Sequence, residues 1–259
     1  MRRFDGIAQQ LAKNTMSKDE LAFKIATIDS LAMYEFDNCE FLRLMGLPLL
    51  DTSESLVTLS TRLTSVQKQR YCIVDIETSA SDVKKGQIIE IGAMMLEGGH
   101  EIDRFESLVH ATYIPDPIQH LTGITPEILV NAPSLGSVLE KFRLFLGDAV
   151  FVAHNVGFDY SFISQSMQLQ GFGPMLNRKL CTICLAQKTI EAERYGLGYL
   201  RNMLGIDIGE HHRALSDAYS AAYVFKKALE NLPKEICTAE DLIYFSNQNH
   251  KKSKKRDTL

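Results

Sequence analysis

The 259 residues carry 32 acidic and 28 basic side chains, a formal net charge of −4, and 45 % hydrophobic residues. A pI near 6.0 excludes a chain that grips nucleic acid by bulk positive charge, so any such affinity has to come from a local site, bound metal, the basic tail or a partner. The apolar fraction suits a globular protein with a sizeable core. No run approaches the length of a membrane span, and the five scattered cysteines (39, 72, 181, 184 and 237), with no secretory leader, point to reduced thiols in a cytoplasm.

Residues 1–66 read as a small, mainly helical module, either winged-helix-like or a helical extension packed on the main domain. Ser17 and Glu20 have the spacing of a capping box, with Met16 and Leu21 placed as a hydrophobic staple. Leu21, Ile25, Ile28 and Ala32 then share one helical face. A second short helix is expected from about 37 to 45, stopped by Gly46 with Pro48 beyond. Ser53 to Leu63 alternates weakly, as a strand or hairpin arm would.

The main domain is expected over 67–232. Tyr71 to Glu77 is an apolar run ending in acids, Gln87 to Leu96 a second strand and Arg104 to Val109 a third. Between the last two, Gly98-Gly99 signals a hairpin turn. Ser134 caps a predicted helix reaching Leu146, with Val138, Leu139, Phe142 and Phe145 inward. Ala149 to Ala153 reads as a strand, and Asp159 to Leu169 and Ala214 to Leu229 as helices. Strands in a meander, then strands mixed with helices, indicate an α/β fold with a mixed sheet. Over 233–259, Thr238 and Asp241 cap a last short helix carrying Leu242 to Phe245. A basic tail follows, with Lys251, Lys252, Lys254, Lys255 and Arg256.

Three segments carry chemistry. Asp75 and Glu77, at i and i+2 of a strand, point to one face. Two such carboxylates repel unless a cation joins them, and hard divalent cations such as Mg²⁺ favour oxygen ligands; solvated acids at a strand end are the plainer alternative. Asp159, in His154-Asn155-Val156-Gly157-Phe158-Asp159, sits at a helix start, where an acid also serves as a cap. Asp217 follows His211-His212-Arg213 into an apolar helix, where a buried acid needs a partner. A histidine one turn earlier can take a proton from water beside a metal, and a solvated loop is the alternative, preferred for His211. Cys181-x-x-Cys184 has zinc-like spacing but no second pair, so these read as ordinary thiols.

The ordered set is more specific than its parts. Asp75-x-Glu77, Asp159, His212 and Asp217, in the segments VDIET, HNVGFDYSFI and HHRALSDA, resemble the DEDDh, or DnaQ-like, 3′–5′ exonuclease family over about 69–230. The family spacing selects His212 over His211, and Arg213 stands where the sister class has tyrosine. Within the family the similarity is greatest to the proofreading epsilon subunits of bacterial DNA polymerase III. The front segment of roughly 70 residues lies outside the family pattern.

The resemblance implies a ribonuclease H-like mixed sheet flanked by helices. It implies two divalent cations, Mg²⁺ or Mn²⁺, held by Asp75, Glu77, Asp159 and Asp217. His212 would be the general base, and the products nucleoside 5′-monophosphates. Thr78, Leu121, Asn155 and Phe158 would wall a pocket for the 3′ end, Phe158 offering a face for base or sugar packing or serving as core. Implied partners are single-stranded DNA 3′ ends and a DNA polymerase catalytic subunit, docked by Leu242 to Phe245 or by the front module. RNA trimming by the same chemistry is the rival reading, and a noncatalytic nucleic-acid-binding subunit a more distant one.

Overall fold

The computed structural model describes residues 2–29, 31–32, 39–208 and 212–248. His211 and the lysine-rich tail, both singled out in the sequence, lie outside them.

The front module runs α1 (Arg2–Lys13), β1 (Met16–Ser17), α2 (Lys18–Ala26), α3 (Glu40–Leu44), β2 (Leu49–Asp51) and β3 (Leu56–Leu59). Ser17 Oγ accepts the Glu20 N–H at 3.1 Å, as the capping pattern requires. Strand β3 pairs antiparallel with both β1 and β2, so the expected hairpin arm becomes the middle of a three-stranded sheet. Helices α1, α2 and α3 and this sheet pack around Phe4, Leu11, Leu21, Ile25, Leu42, Val57 and Leu59. Leu176 of the main domain completes that core. The predicted second helix is described over Glu40–Leu44; part of its expected range, 37–38, lies outside the described residues. Gly46 follows at φ +93°, where an added Cβ would stand 2.0 Å from Asn177 Oδ1. A glycine is therefore needed here twice over, for its backbone and for the close approach of the two units.

In the main domain β4 (Tyr71–Thr78), β5 (Ile88–Glu97), β6 (His100–Leu108), β7 (Val150–Ala153) and β8 (Lys179–Cys181) form one sheet in the order β6-β5-β4-β7-β8. Pairing is antiparallel from β6 to β4 and parallel from β4 to β8. Strand β6 begins earlier than expected because Gly98 and Gly99, both at positive φ, turn so tightly that pairing resumes at Glu97↔His100.

The helices are α4 (Asp116–Thr122), α5 (Pro126–Leu129), α6 (Leu135–Leu146), α7 (Val156–Leu169), α8 (Thr182–Thr189), α9 (Leu197–Leu204), α10 (Ala214–Glu230) and α11 (Ala239–Asn247). Residues of β4 alternate between two cores. Cys72, Val74 and Ile76 pack with Val138, Phe142, Phe162 and Ile163 of α6 and α7. Tyr71 and Ile73 pack with Ala221 and Phe225 of α10. Each such fully buried aliphatic side chain contributes about 1.5–3 kcal/mol. Continuing the alternation, Asp75 and Glu77 fall on the α10 side.

Helix α11 opens on the predicted capping box of Thr238 and Asp241. Its Leu242 and Ile243 are buried with Val66, Tyr71 and Phe225, which corrects the expectation that they dock a partner: they complete this chain's own core. Glu240 of α11 accepts from Arg178 Nε at 2.6 Å, Arg178 Nη2 at 2.8 Å and Thr61 Oγ1 at 2.8 Å. That buried knot ties the end of the front module, the β8 edge and the last helix together. Among the described residues, no helix is long and apolar enough to cross a membrane.

Candidate active site

Strand β4 delivers Asp75 and Glu77 at its C-terminal end, where the register slips between Glu77 and Thr78. Opposite Asp75 in the ladder stands Gly92. A Cβ built there would lie 2.1 Å from Leu215 N and 2.3 Å from Ala214 C. The missing side chain lets the first turn of α10 rest directly on the sheet, which carries Asp217 over the paired acids. Donor atoms of Glu77, His212 and Asp217 all lie within 4.8 Å of one another. Asp159, buried in the first turn of α7 just beyond β7, completes the group: its charge acts on both Asp75 and Glu77.

The electrostatics are those of too many carboxylates in too little water. Burial first, then the charges of Asp159, Asp217, Glu77 and Glu90, push the Asp75 carboxyl well above the ordinary range. Glu77 is raised to about 7 by burial and by Glu90, Asp217 and Asp159, with Arg213 opposing. Burial also lifts Asp159 to about 7, against the backbone N–H groups of Asp159 and Ile76. A cluster so arranged either takes up protons or holds a cation. Carboxylate oxygens with one imidazole are a donor set that fits a divalent cation.

Asp217 is held from two sides. Its Oδ2 accepts the backbone N–H of His212 at 3.0 Å, and its Oδ1 faces Arg201 Nη1 at 3.3 Å. His212 is exposed and adopts φ +61°, a left-handed conformation that costs a non-glycine residue of order 1 kcal/mol and tends to occur at functional positions. Next to it, Arg213 donates to the fully buried Glu90 through Nε at 3.1 Å and Nη2 at 2.7 Å, and the Ala214 N–H reaches Glu90 Oε2 at 2.9 Å. Glu90, from β5, thus supplies the capping acceptor at the start of α10. His154 holds the other rim: its ring nitrogens lie 2.8 Å from Thr182 Oγ1 and 2.8 Å from the Tyr195 carbonyl.

The structure therefore brings together Asp75, Glu77, Asp159, His212 and Asp217. Thr78 directly follows the paired acids on β4. Asn155 is the exposed N-cap of α7 at φ +80°, and Phe158 is half-buried against Phe162, ring centroids 5.8 Å apart. Leu121 lies on the separate helix α4 with half its surface exposed. Glu90, Gly92, Arg201 and Arg213 are the residues that sequence reasoning missed as builders of the site. An acid and a glycine inside the apolar strand Ile88-Ile89-Glu90-Ile91-Gly92 were a readable signal, since each calls for a special neighbour.

A family model, RNase_T, described as Exonuclease, matches residues 72–225. The chain is 36 % identical over 174 residues to DNA polymerase III PolC-type of Staphylococcus haemolyticus, covering 66 % of this chain and 12 % of that protein. It is 37 % identical over 169 residues to the Staphylococcus aureus counterpart, covering 64 % of this chain and again 12 % of that protein. Among solved structures it is similar to exonuclease X in complex with 5′ overhanging duplex DNA, with TM-score 0.55, 22 % identity, and coverage of 68 % of this chain and 99 % of that one. It is also similar to E. coli exonuclease I in complex with a dA16 oligonucleotide, with TM-score 0.56, 16 % identity, and coverage of 64 % and 42 %. These likenesses show the shared fold, a ribonuclease H-like mixed sheet between helices.

Proposed function

The chain belongs to the RNase_T family of exonucleases, and on that premise we propose that it is a metal-dependent 3′–5′ exonuclease that releases nucleoside 5′-monophosphates from DNA ends. The observation that carries this reading is the convergence of four carboxylates and one exposed histidine at the end of β4. When bound, a pair of divalent cations, Mg²⁺ or Mn²⁺, supplies the positive charge that activates an attacking water and offsets the leaving oxygen. Asp75, Glu77, Asp159 and Asp217 would hold that charge in place. His212, outside the carboxylate cage and open to solvent, accepts the proton of the attacking water and passes it to bulk. Phosphoryl chemistry leaves the protein mainly positioning and charge compensation to perform.

Thr78, Asn155, Phe158 and Leu121 form the walls that receive the 3′ end, the Phe158 ring packing against a base or sugar. DNA is favoured as substrate because the curated relatives are DNA polymerases and the solved neighbours were captured with DNA. In those polymerases the matching stretch is 12 % of a much longer chain. By likeness to them, the proposed setting of this chain is editing beside a DNA polymerase catalytic subunit, in a reducing cytoplasm that suits free thiols.

Replacing Asp75, Glu77, Asp159 or Asp217 singly with alanine should bring hydrolysis to background while the far-ultraviolet circular dichroism stays native. Any one variant that retains near-normal turnover removes that residue from the cluster's function.

A further inference from the structure

Arg201 has no place in the reaction just described, yet it is among the most enclosed charges in the domain, 5 % exposed near the end of α9. Its guanidinium spans two acceptors. Nη1 faces Asp217 Oδ1 at 3.3 Å, and Nη2 donates to the Ile208 carbonyl at 2.7 Å. Ser216 Oγ donates to the same carbonyl at 2.8 Å. The His212 N–H is bonded to the other oxygen of the same carboxylate, Asp217 Oδ2. Ile208 and His212 are therefore each bonded to one member of the Asp217–Arg201 pair. One carboxylate serves the cation cluster and the histidine's backbone at once, and Arg201 is the cation already standing beside it.

We infer that Arg201 is a positioning residue whose planar fork fixes the Asp217 carboxylate that holds the His212 N–H, and whose charge moderates how tightly the carboxylate cluster binds divalent cations. This rests on the reading of the cluster as a cation site and of His212 as the base. Two consequences separate, because fork and charge are different properties of one side chain. Removing the charge leaves the cluster more negative and tightens cation binding. Removing the fork loosens the Asp217 carboxylate that holds the His212 N–H, which slows turnover. A side chain that merely supported the fold would, when lost, weaken both together.

The test uses the full-length chain and Mn²⁺ as the probe, with binding read from the paramagnetic resonance of free Mn²⁺ in the absence of nucleic acid. Turnover is read separately, on single-stranded DNA at saturating Mn²⁺. Arg201→Met should bind Mn²⁺ about tenfold more tightly than the wild type and turn over at least tenfold more slowly. Arg201→Lys keeps the charge but offers a point donor, so its Mn²⁺ affinity should stay within about twofold while kcat falls. If Arg201→Met does not fold, the lysine variant decides alone, by reduced kcat at retained affinity. Weaker Mn²⁺ binding in either variant, or unchanged kcat in both, overturns the inference. Failure of the wild type to bind Mn²⁺ overturns the cation reading itself. Wild-type binding and turnover without the split in the variants overturns only the role of Arg201.

Discussion

Replacing Glu77 with glutamine should stabilise the cation-free protein, and most strongly at alkaline pH. Burial and the neighbouring charges of Glu90, Asp217 and Asp159 carry its carboxyl from 4.5 to about 7. A carboxyl with a raised folded value binds its proton more tightly in the native state. That stabilisation is full below 4.5 and is lost as pH rises through about 7. The interval corresponds to roughly 3 kcal/mol at about 1.4 kcal/mol per pH unit. Solvent screening of this part-exposed side chain reduces it to about 1–2 kcal/mol. For a chain of this size, 1 kcal/mol moves the melting midpoint by about 2–4 °C. Calorimetry in EDTA should therefore find Glu77→Gln melting roughly 3–6 °C above the wild type at pH 8, with little difference below pH 5. Comparing variant with wild type at each pH cancels the histidines. Adding Mg²⁺ at pH 8 should reverse the order, because a cation favours the ionised carboxylate. A variant that melts below the wild type at pH 8 in EDTA, or a gap independent of pH, would refute the account of a charge-frustrated cluster.

Gly92→Ala places a methyl on the backbone of Leu215, so the first turn of α10 has to lift. The expected cost is about 1–3 kcal/mol of stability together with a fall in turnover larger than the loss of folded protein, measured by active-site titration of the soluble fraction. His212→Ala should lower kcat by roughly 10²–10⁴-fold while Mn²⁺ still binds; a comparable rate at neutral pH would exclude it as the base. Glu240→Ala strands the buried Arg178 guanidinium and should cost about 3–5 kcal/mol, read as a lower urea midpoint. A Glu240→Ala protein as stable as the wild type would mean that the knot joining Thr61, Arg178 and α11 contributes little.

How much was legible in the sequence depended on how local the determining interaction was. The helix capped by Ser134 and ending at Leu146 was readable because its cap, its period and its stop lie within one stretch of chain. Asp75, Glu77, Asp159 and Asp217 could be picked out as candidates through their order, each on an element with its own apolar signature, with His212 shortly before α10. The sheet of the front module was not, since β1 spans two residues and β2 three, too short for a period to show. Glu90 stands 123 positions from its partner Arg213, and nothing local says which arginine it meets. Arg201 follows Leu200 on a helix of ordinary amphipathic spacing and looks like a solvent-facing residue. Its partners, Asp217 of α10 and the Ile208 carbonyl, meet it only in the folded chain, a tertiary event with no local trace.

The most direct test of the central claim is the fate of matched single-stranded DNA and RNA, labelled at the 5′ end and incubated with the full chain in Mg²⁺ or in EDTA, with Asp217→Ala alongside. The account predicts a ladder that shortens from the 3′ end, faster for DNA, absent in EDTA and absent in the variant. A ladder that survives EDTA or the Asp217 substitution, or release of the 5′ label as the first product, would contradict it; faster loss of RNA would retain the chemistry and overturn the assignment of DNA as substrate.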